Sequence, residues 1–230
     1  MNAKRRRLQS RVLRLCVYAA GACTLGVLLM LVVYILVKGL PHLTPELFSL
    51  HYNSENVSLF PALVNTVTMT LLSLLIAAPL GVFSAVYLVE YAKRGNKFVS
   101  VVRITAETLS GIPSIVYGFF GLVVLVPALQ AMFGSGKSIV TASIMLGIMI
   151  LPTIISVSES SLRAVPESYY EGSLALGATH ERSVFSAVFP AARSGILAGI
   201  ILGVGRAIGE TMAVVMIAGN QPILPKSLLS

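Results

Sequence analysis

Long runs without a charged side chain dominate the pattern of this chain. Residues 15–37, 56–89, 108–136 and 138–158 hold no Asp, Glu, Lys or Arg. Each run reaches or exceeds the roughly 20 residues that cross a hydrocarbon core as a helix. A fifth stretch, 195–219, is equally apolar except for Arg206 and Glu210. The pattern predicts five transmembrane helices, at 15–37, 61–89, 111–133, 138–158 and 195–219. Polar segments separate them: a basic head (1–14), a connection at 38–59 carrying Pro41 and Pro45, a short basic turn from Glu90 to Lys97, a glycine-serine link at 134–138, a charged segment at 159–193 and a tail at 221–230. Pro79 and Gly81 predict a kink or an unwound turn in the second helix. Residues 98–109 are amphipathic, with Arg103 and Glu107 at i,i+4, and predict an interfacial helix that ends in a turn at Gly111-Ile-Pro113.

Composition agrees with this reading. Of 230 residues, 56% are hydrophobic and 11% charged, against about 25% charged in an ordinary soluble domain. The fold class is therefore all-α and integral to a membrane. A net charge of +8 would point to nucleic acid in a soluble protein, but here the basic residues flank spans, and no nucleic-acid partner is expected. With the N-terminus in the cytoplasm, thirteen of the seventeen Lys and Arg lie inside, three (Lys38, Lys137, Lys226) lie outside, and Arg206 lies within the membrane. That asymmetry predicts a multi-pass cell-membrane protein with a cytoplasmic N-terminus and membrane lipid around it. The first apolar run has 23 residues, longer than a signal-peptide core, and reads as a span. Cys16 and Cys23 fall in that one helix, seven apart, too far for a disulfide, and read as packing or lipid-facing residues.

Enzyme chemistry finds no support. Ala131 to Ser138 fits a relaxed phosphate-loop pattern, yet it joins two spans rather than a buried strand and a helix, and the chain contains no aspartate to hold magnesium. His42, His51 and His180 are scattered without metal-ligand spacing. No cofactor is expected on this chain.

Two features remain. Arg206 and Glu210 lie inside the fifth span, where an arginine costs about 2.5–3.5 kcal/mol and rarely faces lipid. On a continuous helix Gly199, Gly203, Arg206 and Glu210 share a face about 60° wide, and Gly195, Gly199, Gly203 and Ala207 form a stripe of small residues that permits close helix approach. Two readings stand: an intrahelical ion pair that seals an interface, or a substrate path in which Arg206 attracts an anion and Glu210 holds or gates it. The other feature is the charged segment before this span, longer than two helices need and therefore a docking place for another protein.

Within that segment, Glu171, Gly177 and Pro190 resemble the EAA loop of bacterial ABC importer membrane subunits, E-A-A-x3-G-x9-I-x-L-P. Gly172 and Ser173 replace its alanines, and Ala187 and Phe189 stand where isoleucine and leucine are usual. Glu107–Gly118, Ala164–Ser173 and Gly205–Met212 extend the resemblance to the phosphate-specific (Pst) importer permeases of the PstC/PstA type, over residues 60–220. The resemblance implies the type I ABC importer (MetI-like) permease architecture and inward transport of inorganic phosphate by alternating access. It implies ATPase coupling through Glu171, Gly172, Ser173, Gly177 and Pro190. The implied partners are a second permease in a PstA/PstC-type heterodimer, a PstB-type ATPase dimer that uses the ATP and magnesium, and a PstS-type phosphate-binding protein. It also implies a further span beyond Ser230, so the sequence reads as stopping before that span. An ABC permease for another oxyanion, molybdate or sulfate, is the alternative, and an ion-coupled secondary transporter is a more distant one.

Overall fold

The computed structural model describes residues 3–50, 52–53, 58–93, 95–134 and 136–220. The tail expected at 221–230, with Lys226, lies outside them, as does His51. The described residues are helical, without a strand. Five of their helices are long and apolar enough to cross a membrane, matching the number of charge-poor stretches.

Helix α1 (Ala3–Gly39) runs unbroken because no proline or polar cluster interrupts it before Pro41. Every side chain described on it is exposed, so it contributes nothing to the core of this chain. Two short 3-10 turns (Leu40–His42 and Pro45–Phe48), each with proline near its start, lead toward α2 (Phe60–Val86). A widened π turn, Tyr87–Tyr91, closes α2. Then follow α3 (Lys97–Gly111), whose first turn is capped by the Asn96 side chain accepting from the Phe98 amide at 3.0 Å, and α4 (Ser114–Phe120). The extended Ile112 and Pro113 between them form the expected turn.

A second π turn (Gly121–Leu125) joins α4 to α5 (Val126–Phe133), and a third (Val184–Val188) joins α8 (His180–Ser183) to α9 (Phe189–Gly209). Both precede a proline, Pro127 or Pro190, at the second position of the following helix. Proline has no N–H to give and its ring collides with the carbonyl four residues back. One extra residue in the preceding turn moves that carbonyl aside, so the helical run continues with a local bulge.

Helix α6 (Ile139–Arg163) is the axis of the molecule, with α2 and α9 packed on it and α3 against its last turns. It starts where Ser138 accepts from the Thr141 amide. Its core is organised by small residues. A β-carbon on Gly81 of α2 would come within 2.8 Å of Ile154 Cγ2, and one on Gly203 of α9 within 3.2 Å of the same side chain. Gly199 faces Val157 in the same way, at 3.1 Å, and Gly195 faces Ser161. The stripe read from the sequence thus meets α6, where bare backbone lets van der Waals packing replace the hydrophobic drive that lipid removes.

Three expectations are corrected. Of the two alternatives at Pro79 and Gly81, the unwound turn does not form: helix α2 stays helical there, and Gly81 serves close packing. Arg103 does not pair with Glu107; it reaches across to Glu159 of α6 at 2.7 Å, and Glu159 also holds Arg163 at 3.0 Å. Glu159 is 13% exposed, so this shared carboxylate is largely withdrawn from solvent. Finally, the helical run of the fifth crossing starts at His180 rather than near 195, and it ends at Gly209.

Candidate functional site

The break after Gly209 changes the geometry expected of Arg206 and Glu210. Glu210 takes an extended backbone (φ −81°, ψ 106°), its amide returns only to the Ala207 carbonyl at 3.3 Å, and the chain resumes as the short helix α10 (Met212–Ala218). An i,i+4 ion pair needs a continuous helix between its members. None forms here: among the described residues Glu210 has no ion pair and no side-chain hydrogen bond. Arg206 Nη1 instead donates to Thr153 Oγ1 on α6, at 3.0 Å. Arg206 and Glu210 are half-buried. The Tyr117 hydroxyl, on α4, lies within electrostatic range of the guanidinium. Arg206 lies three residues before the end of the His180–Gly209 run, one turn ahead of the break.

Among the described residues this arrangement leaves the guanidinium with one neutral side-chain partner. A hydroxyl satisfies one of its five N–H donors and none of its charge, so the group retains the capacity to hold an anion. Thr153 was not singled out from the sequence. Its signal is a hydroxyl beside Pro152 in mid-span, where a polar group needs a partner.

The second candidate lies between α6 and α9. Helix α7 (Glu167–Ala175) ends at Leu176, and Gly177 follows with φ +83°, a left-handed backbone that suits glycine. The Gly177 amide returns to the Leu174 carbonyl at 2.8 Å and the Ala178 amide to the Ser173 carbonyl at 3.2 Å, closing the helix end. Glu171 and Gly172 are exposed, and a β-carbon on Gly172 would meet nothing within 4 Å, so the alanine usual there is sterically free to be lost. Ser173 turns inward, its Oγ 3.0 Å from Ser183 Oγ on α8. Pro190, exposed, lies downstream at the start of α9, apart from this cluster. Leu176 is 91% exposed at the tip beside Gly177. The sequence reading passed over it because its place in the motif is unspecified; an apolar residue just before a helix-ending glycine is the available signal.

The described residues of the phosphate-loop pattern are engaged in helix ends and a link. Gly134 (φ +76°) ends α5, and the Thr141 hydroxyl donates to the Gly136 carbonyl at 2.6 Å, so this segment is spent on linking α5 to α6.

Comparison with known proteins agrees with this architecture. The chain is 42% identical over 188 residues to the "Probable ABC transporter permease protein YqgH" of Bacillus subtilis (strain 168), covering 79% of this chain and 60% of that protein. It is 32% identical over 242 residues to "Phosphate transport system permease protein PstC 2" of Mycobacterium bovis, covering 90% of this chain and 72% of that one, and 37% identical over 180 residues to "Phosphate transport system permease protein PstC" of Haemophilus influenzae, covering 69% and 56%. This chain thus spans about 60% of the length of several relatives it matches. Among solved structures, the inward-facing MetNI methionine ABC transporter superposes with a TM-score of 0.51 at 22% identity, over 66% of this chain and 68% of that one, a likeness of fold. A family model, "Binding-protein-dependent transport system inner membrane component", matches residues 77–228, more than half of the chain. The five apolar helices, the axial α6 and this match together place the chain in that family of transport permeases.

Proposed function

We propose that this chain is the membrane-spanning permease subunit of an ATP-driven importer of inorganic phosphate, with its N-terminus in the cytoplasm. The observation that carries the reading is Arg206, a guanidinium one turn before a break in its helix, whose side-chain partner among the described residues is the neutral Thr153 hydroxyl. The likeness to phosphate transport permeases supports phosphate as the anion. In this reading Arg206 attracts phosphate by charge-assisted hydrogen bonds, and Glu210 positions or gates it. Helix α7 and the Gly177 turn lie on the cytoplasmic side, where Glu171 and Gly172 present the docking surface to a PstB-type ATPase dimer, Ser173 ties that surface to α8, and Pro190 starts the crossing that responds. A second permease of PstA/PstC type completes the pore, and a PstS-type protein delivers phosphate from outside. ATP and magnesium act on the ATPase; alternation of the pore follows from rigid-body movement of the helices.

The test is uptake of labelled phosphate by vesicles holding the whole assembly with Arg206→Gln. Loss of the charge-assisted contact should lower uptake roughly 10- to 100-fold while assembly and ATP hydrolysis persist. Undiminished uptake refutes the path, and failed assembly assigns Arg206 to packing. Competition by molybdate or sulfate as strong as by unlabelled phosphate would move the substrate to another oxyanion.

A further inference from the structure

Where α2 ends, three rings meet that belong to different parts of the chain. His180, the first residue of α8, lies edge-on to Tyr91 in the π turn that closes α2, with ring centroids 5.0 Å apart and planes at 73°. It lies edge-on also to Tyr170 of α7, at 5.7 Å and 80°, and its Nδ1 is 2.8 Å from the Tyr170 hydroxyl. Near-perpendicular rings at these distances are the arrangement that aromatic quadrupoles favour, and the hydrogen bond fixes the imidazole's orientation. Glu90, next to Tyr91, lies within electrostatic range of the same imidazole.

The position of this cluster matters because the other ties of α7 lead elsewhere. It packs on the π turn before α9, and Ser173 meets Ser183 on the same helical run. Those contacts tie α7 to α9, whereas the imidazole is shared by α7 and the end of α2. Helices α2 and α9 both pack on α6 and also touch each other, so a displaced α7 reaches α2 by two routes, indirectly along the chain through α9 and directly through His180.

We propose that His180, clamped between Tyr91 and Tyr170, is the positioning residue that carries movement of α7 to the end of α2. The role rests on the reading of α7 as the ATPase-docking helix. With the clamp intact, α7 moves α2 and α9 together about α6; without it α2 follows only through its packing on α9, and ATP is hydrolysed without full opening of the path.

Two measurements test this. In the purified chain, a thermal double-mutant cycle of Tyr91→Leu and His180→Ala should depart from additivity, because the pair shares one contact; an additive cycle overturns the clamp itself, whatever is transported. In the complete assembly, His180→Ala should lower phosphate moved per ATP hydrolysed roughly two- to tenfold, the range of one edge-to-face contact. His180→Phe, which keeps both ring contacts, should recover most of the loss, a rescue that general destabilisation would not give. A wild-type ratio in His180→Ala overturns the transmitting role, as does His180→Phe failing to recover. If His180→Ala does not assemble, Tyr170→Phe and His180→Phe still decide, since each leaves the ring packing and removes the hydrogen bond; a ratio that collapses in both overturns the edge-to-face account. Absence of ATP-driven uptake by the unmodified assembly overturns the functional reading and the transmitting role together, and the cycle in the purified chain distinguishes that result from failure of the clamp.

Discussion

Replacing Gly81 by alanine should destabilise the molecule even though alanine is the better helix former. The added β-carbon would sit 2.8 Å from Ile154 Cγ2 and 3.1 Å from its Cβ. Ile154 cannot retreat: it is fully buried, and Gly203 of α9 closes on its Cγ1 and Cδ1 from the other side. Overpacking of this kind costs about 1–3 kcal/mol. The helix-propensity gain of Gly→Ala returns about 1 kcal/mol, so overpacking wins by up to about 2 kcal/mol. For a chain of this size that is a fall of up to about 8 °C in the unfolding midpoint. Gly205→Ala is the control, since a β-carbon there meets nothing within 4 Å and only the propensity gain operates, raising the midpoint by about 1–4 °C. The assay is thermal unfolding of the purified chain in detergent at one fixed heating rate, because the apparent midpoint of an irreversible transition depends on that rate. Ile154→Ala alone should cost about 2–5 kcal/mol, and the Gly81→Ala/Ile154→Ala pair should fall short of the sum of the singles by at least about 1 kcal/mol, since the new methyl enters the space that isoleucine left. An additive pair, or a Gly81→Ala midpoint at or above wild type, would refute the account of α6 as an axis gripped from both sides.

Other outcomes follow from single contacts. Glu159→Ala should lower stability by about 1–3 kcal/mol, because it leaves Arg103, whose Nε already lacks a partner, without its carboxylate. Arg163→Ala, removing the partner that is 52% exposed, should cost less than about 1 kcal/mol; equal midpoints for the two variants would contradict the assignment of Glu159 as the shared anchor. Gly177→Ala forces a β-carbon into a left-handed backbone at a cost of about 1–2 kcal/mol. It should speed tryptic cleavage at exposed Arg182 roughly 5- to 30-fold by fraying the end of α7, and an unchanged rate would show that the turn tolerates alanine.

The crossings were legible in the sequence because lipid imposes a length on every apolar run. The small-residue stripe on α9 was legible for a related reason: without a hydrophobic drive between helices, close packing needs bare backbone, and Gly199 and Gly203 announce it. What escaped were features fixed by tertiary geometry. Local spacing offered Glu107 to Arg103, but α3 lies against α6, and the partner is Glu159, 56 residues away in sequence. Spacing likewise offered Glu210 to Arg206 on the assumption of an unbroken helix; the backbone turns at Glu210 without a proline to signal it, and I, G and E there carry no pattern that distinguishes a stop from a continuation. The segment 159–193 read as one charged loop because charge marks exposure to water and not the end of a helix. Helix α6 continues to Arg163, α7 follows at Glu167–Ala175, and the fifth crossing's run starts at His180.

The stop at Glu210 has a consequence for solvent. A helix that ends leaves its last carbonyls without intrahelical amide partners, and among the described residues the Ala207 carbonyl is met by the Glu210 amide. In hydrocarbon such orphaned acceptors would cost several kcal/mol each, so irregular backbone at that depth persists only where protein covers it or water touches it. Ile208 and Gly209 are exposed. Hydration must therefore penetrate to the fifth crossing from at least one side unless a neighbouring subunit seals it, and a polar solute following that water would meet Arg206 one turn of helix further on.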